Sequence, residues 1–118
     1  MIQASIPFTD FGGQGDQLHF LHANGYPPAC YIPLIEHLKK DFHIIGMHQR
    51  PLWPLEKPER LKDWRLLAED FLDFLSEHRS TPIIGVGHSV GGIVTLRAAL
   101  REPDRFRAIV LVDPVLFP

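Results

Sequence analysis

A serine with a glycine two residues away on either side, Gly87-His88-Ser89-Val90-Gly91, constrains this chain more than any other stretch of it. The apolar run Pro82-Ile83-Ile84-Gly85-Val86 leads into it, and the helix-like stretch from Ile93 to Arg101 follows. A strand, a sharp turn and a helix, in that order, make the context in which G-x-S-x-G becomes a nucleophile elbow. Such a turn holds its serine in a strained backbone conformation. A Cβ two residues to either side would collide with the neighbouring strand or helix. Gly92 keeps the first helical turn small enough to pack on the preceding strand. The serine hydroxyl then stands clear of the sheet edge. The simpler alternative is a serine between loop glycines that caps the helix.

The rest of the chain supplies a matching frame. Residues 2–9 alternate loosely, and Asp10 to Asp16, with three glycines, reads as a turn. Leu18 to Leu21 is a short apolar strand that ends at His22-Ala23-Asn24-Gly25. A helix is expected next, with Tyr31, Leu34, Ile35 and Leu38 on one face. Phe42 to Met47 is a strand running into the Pro-rich loop Arg50-Pro51-Leu52-Trp53-Pro54. From about Glu59 to Arg79, Leu61, Trp64, Ala68, Phe71, Leu72 and Leu75 form the stripe of an amphipathic helix. A final strand is expected from Arg107 to Val112. Apolar strands alternating with helices predict an α/β fold, a mostly parallel sheet with helices on both faces. Ligands of such sheets gather beyond the carboxyl ends of the strands. The loops His22–Pro28, His48–Pro54 and Gly87–Gly91 and the exit at Asp113 all leave from those ends.

With 118 residues, 45% of them hydrophobic, the chain holds one modest core and is read as a single unit over 1–118. Its net charge of −2 is spread without a basic stripe, so nucleic acid is not an expected partner. The longest apolar runs are strand-sized, so no membrane span is expected, and the N-terminus lacks the pattern of a signal peptide. Cys30 is the single cysteine, which excludes an internal disulfide and suits a reducing, cytoplasmic setting. Neither a metal nor a cofactor is called for.

On these residues the chain resembles the N-terminal half of the α/β-hydrolase family. Gly87-His88-Ser89-Val90-Gly91-Gly92 resembles the family's commonest elbow, and Leu21-His22-Ala23-Asn24-Gly25 lies where its His-Gly-x oxyanion loop falls, with Ala23 in place of the glycine. Val110-Leu111-Val112-Asp113-Pro114 resembles the end of the family's sixth strand. The resemblance implies that Ser89 attacks the carbonyl of a small-molecule carboxylic ester or related acyl substrate through an acyl-enzyme, with ester, thioester or activated C–C bond hydrolysis as the reaction class. It implies that the backbone N–H groups of Val90 and Asn24 hold the oxyanion. A serine rather than an aspartate at the elbow sets the chain apart from the epoxide hydrolases and haloalkane dehalogenases of the fold.

The resemblance also implies what lies outside this sequence. The family's histidine comes from beyond its eighth strand, whereas all seven histidines here precede Ser89. His88 is expected to diverge from the nucleophile and His22 to shape the oxyanion loop. His48 lies on the right rim, and His19, His37, His43 and His78 read as surface or edge positions. Asp113 has two readings, the acid that follows the sixth strand in part of the family, or a turn formed with Pro114. Arg50, Trp53 and Trp64 are candidate pocket residues. A sheet cut after the sixth strand leaves Arg107 to Val112 with an open apolar edge. The expectation is therefore a core without its cap and C-terminal strands, completed by a further segment or by another chain. A binding module that keeps the fold without a triad is the alternative.

Overall fold

The computed structural model describes residues 6–53, 64–78 and 82–115. Five strands lie in these segments: β1 (Phe8–Gly12), β2 (Asp16–Leu21), β3 (Phe42–Met47), β4 (Ile83–His88) and β5 (Phe106–Val112). They form one sheet in the order β1-β3-β2-β4-β5, with β1 antiparallel to β3 and the other neighbours parallel. Three α-helices connect them: α1 (Ile32–Leu38), α2 (Arg65–Glu77) and α3 (Val90–Arg101).

The strands alternate between two cores. On β2, Leu18 and Phe20 point to the α1 side, where they meet Ile35 and Ile44. Leu21 points the other way, into a larger cluster with Phe71, Phe74 and Leu75 of α2 and Val94 and Ala98 of α3. Helices therefore cover both faces. Because β3 and β4 lie on opposite sides of β2, the strand order reverses there. The crevice of such a sheet opens beyond the carboxyl ends of β2 and β4, where the Asn24 loop and Ser89 both emerge.

Several elements differ from the sequence reading. β1 runs through Phe8–Gly12, into the stretch expected to be a turn, because its register with β3 continues past a bulge between Asp10 and Gly12. α1 is preceded by a short 3₁₀ turn at Pro28–Tyr31, and Leu34 is exposed while Ile35 is fully buried. The α2 stripe includes buried Leu67, Ala68, Phe71, Leu72, Phe74 and Leu75. Leu61 and the start expected at Glu59 lie outside the described residues. His19 is wholly buried, not a surface residue. At His19 the strand is flanked by β3 and β4 and covered by α2, so this side chain has no outside to face.

Candidate active site

Ser89 links β4 to α3 with φ 55° and ψ −117°, left-handed backbone that non-glycine residues rarely adopt. Its side chain makes no capping hydrogen bond to the helix it precedes. The capping alternative is thus not the observed geometry. The strain is held from several sides. The Ser89 N–H donates to the Val112 carbonyl of β5 at 3.0 Å, and the Ser89 carbonyl accepts from Gly92 at 2.9 Å and from Val115 at 3.2 Å.

The glycines are required by their surroundings. A Cβ on Gly91 would strike the Leu21 carbonyl and come within 2.7 Å of the His22 carbonyl oxygen. One on Gly87 would strike the Gly91 backbone and reach Gly92 Cα at 2.8 Å. These obstacles are main-chain atoms, which have little freedom to retreat. The absent side chains are what let the elbow, its helix and the Asn24 loop close on one another.

Beyond β2, side chains fix the backbone of the loop. Gln49 N–H donates to His22 Nε2 at 2.9 Å, so the His22 proton lies on Nδ1, which donates to the Ala23 carbonyl at 2.7 Å. Burial pushes the His22 pKa down and keeps the ring neutral. The Gln49 side-chain amide donates to the His22 carbonyl. Ala23 N–H donates to the Tyr31 hydroxyl at 2.9 Å, and that hydroxyl lies 2.8 Å from His88 Nδ1. The His22 and Ala23 carbonyls and the Ala23 amide are therefore all engaged. The hydrogen bonds among the described residues leave the Asn24 and Val90 amides without a protein acceptor. Both residues line one pocket of about 60 Å³, together with Gln49, Trp64 and Leu67. That volume admits a small group, well below the ~300–1,000 Å³ of a typical small-molecule site. The N-terminus of α3 beside it favours negative charge.

The other sequence candidates are scattered. None of the seven histidines hydrogen-bonds the Ser89 hydroxyl. His88 turns to Tyr31, His48 pairs with Thr9 at 2.8 Å, and His43 pairs with Asp10 at 2.8 Å. Asp113 is exposed, with φ 46°, and turns the chain back so that Val115 reaches the elbow. Among the described residues it makes no hydrogen bond or ion pair. Trp64 lines the Asn24–Val90 pocket, whereas Arg50 and Trp53 line a separate groove with Asp70. Arg50 grips Asp70 with two hydrogen bonds, of 2.9 and 3.1 Å, and stacks on Trp53 at 4.5 Å. Sequence reasoning missed that pair and the Tyr31–His88 link, which joins residues 57 positions apart. Among the described residues no helix is long and apolar enough to cross a membrane, and no cluster of three metal-ligating side chains occurs.

A profile of the alpha/beta hydrolase fold matches residues 15–118. This chain belongs to the α/β-hydrolase family. It is similar to (E)-2-((N-methylformamido)methylene)succinate hydrolase of Acinetobacter baylyi, with 26% identity over 87% of this chain and 39% of that protein. It is also similar to 2-(acetamidomethylene)succinate hydrolase of Mesorhizobium japonicum, with 30% identity over 86% of this chain and 36% of that protein. The crystal structure of E-2-(acetamidomethylene)succinate hydrolase superposes with a TM-score of 0.78 at 29% identity, over 91% of this chain and 39% of that one. The chain thus spans about two-fifths of the length of these two relatives and about a fifth to a third of several others. Other relatives are an esterase, acyl-CoA thioesterases and lipases.

Proposed function

We propose that this chain carries the nucleophile and the oxyanion site of a serine hydrolase that acts on a small acyl compound through an acyl-enzyme. The observation that carries the reading is Ser89 itself, strained at φ 55° with its hydroxyl free of any capping bond. Strain of this kind costs of order 1–3 kcal/mol and persists where surrounding contacts enforce it. Here the enforcing contacts are the backbone hydrogen bonds of Ser89 and the close approach at Gly87 and Gly91.

In the proposed reaction the Ser89 oxygen adds to the substrate carbonyl as a base removes its proton. The carbonyl oxygen gathers negative charge, and the Asn24 and Val90 amides donate to it. Ala23 does not serve as donor, because its N–H is already bonded to Tyr31. Each such donor is worth about 3–4 kcal/mol of barrier in a water-excluded site. Collapse expels the alcohol, thiol or amine, and water then releases the acid and regenerates Ser89. No cofactor takes part. The base is a histidine outside these 118 residues, and Asp113 is its candidate partner acid. The relatives named as esterase, thioesterase and amidomethylene succinate hydrolases support acyl transfer as the reaction class.

In the full-length protein a fluorophosphonate is expected to label Ser89, and Ser89→Ala is expected to abolish the labelling. Unchanged labelling of the variant would end the proposal. One observation favours a second reading: the Ser89 hydroxyl has no histidine partner in this chain. A folded full-length protein that never reacts would identify a binding module that keeps the elbow without the chemistry.

A further inference from the structure

We propose that Tyr31 and His88 act as a positioning pair, one that locks the oxyanion loop to the residue preceding the nucleophile. The proposal rests on the reading of Ser89 as that nucleophile. Three elements meet at the Tyr31 oxygen. The loop after β2 contributes the Ala23 N–H at 2.9 Å, the turn before α1 contributes Tyr31, and the end of β4 contributes His88 Nδ1 at 2.8 Å. In the proposed pair the oxygen that accepts from Ala23 gives its own proton to His88 Nδ1, and the ring proton lies on Nε2. The Tyr31 ring is fixed independently, against Phe20 at 4.4 Å and edge-on to His88 at 5.7 Å.

The consequence falls on Asn24 and Ser89 together. On one side Gln49 brackets His22, and on the other Tyr31 holds the amide of Ala23. Just beyond these clamps lies the Asn24 amide, which has no protein acceptor among the described residues. Its distance from Ser89 is set by a hydrogen-bonded path through Ala23, Tyr31 and His88, and His88 is covalently joined to Ser89. Removing the phenol hydroxyl frees the Ala23 amide and loosens the loop without altering the nucleophile. Neither Tyr31 nor His88 touches the reacting atoms in this scheme. Their role is to hold a geometry in which errors of about 1 Å can reduce rates by up to 100-fold.

The test is the rate constant for fluorophosphonate labelling of the full-length protein. Tyr31→Phe keeps the ring and loses the hydroxyl, and its labelling is expected to slow by about tenfold with little change in melting temperature. His88→Ala is expected to slow to a similar degree. The double variant should be no slower than the slower single one, since the two act as a unit. His88→Asn offers an oxygen near the position of Nδ1 and should restore most of the rate. Hydrogen exchange supplies a second readout: in Tyr31→Phe the Ala23 amide, which loses its acceptor, should exchange faster while β4 and α3 are unchanged. A Tyr31→Phe protein that labels at the wild-type rate, or a His88→Asn protein as slow as His88→Ala, would overturn the pair while leaving Ser89 as nucleophile. If the wild-type protein does not label, or Ser89→Ala labels equally, both readings fall.

Discussion

His19 sits on β2 with its ring 4.5 Å from Phe71 and 5.5 Å from Phe74, and its Nε2 accepts the Met47 amide at 2.9 Å. Nδ1 is buried without a partner. Burial drives the folded pKa down from the usual 6.5 to about 3, with the neighbouring His22 and His78 adding to the effect. The unfolded chain binds a proton as the pH falls below about 6.5, and the folded chain resists until about 3. The contribution of His19 is therefore intact above 6.5 and declines through that window, by up to about 1.4 kcal/mol per pH unit. Burial shifts His22 and His48 in the same direction. His19→Leu should be less stable at pH 7.5, because the Met47 amide loses its acceptor. It should nevertheless lose less stability on acidification to pH 4.5 than the wild type, as measured by urea unfolding. Parallel declines would remove His19 from the account. At this scale Ser89 was legible, because spacing and flanking periodicity carry the elbow. His19 was not, since alternation assigns a polar strand residue to an outer face and a central strand covered on both sides has none.

At the scale of elements, α2 presents a carboxylate within its apolar face. Asp70 is buried among Leu67, Phe71 and Phe74 and is held by Arg50 from the loop after β3. That ion pair ties the helix to the loop whose Gln49 brackets His22. Asp70→Asn removes the carboxylate's negative charge while keeping the shape, and so breaks its ion pair with a guanidinium that is only 18% exposed. Breaking such a pair costs about 3–5 kcal/mol, so a fall in melting temperature of several degrees is expected, with Arg50→Met recovering part of it in the double variant. A fall no larger than that of an exposed control such as Asp73→Asn would show that the pair is peripheral. The strand Phe42–Met47 was read from sequence with the bounds it has, and β4, α3 and β5 within a few residues. Asp70 was hidden because a helical period sorts polar residues outward and cannot register a partner 20 positions away. The run of β1 into the turn expected from Asp10 was hidden for a related reason: its bounds depend on pairing with β3, a contact no local pattern contains.

For the molecule as a whole, the order β1-β3-β2-β4-β5 brings the Asn24 loop, Ser89 and Asp113 to one rim. The parallel sheet and its two-sided cover were legible in the alternation of elements, and the rim followed from them. What topology could not supply was the hydrogen bonding that engages Ala23 and leaves Asn24 unengaged. β5 pairs with β4 and has no second neighbour among the described residues, and Val110 and Val112 are 50% and 44% exposed. Apolar, open edges recruit further strands. The 118-residue chain alone is expected to elute above its 13.5 kDa mass, increasingly so with concentration. Val110→Lys, which places a charge on that edge, should shift it toward the monomer. A wild-type chain that stays monomeric at every concentration would contradict the expectation.

The central claim is that the strained elbow presents Ser89 as the attacking group, and peptide mapping after fluorophosphonate treatment of the full-length protein tests it most directly. The account predicts one phosphonyl adduct, located at Ser89 in the tryptic peptide of residues 80–97, and none after heat denaturation. An adduct confined to another residue, or an unmodified Ser89 in protein that still turns over an acyl substrate, would contradict it.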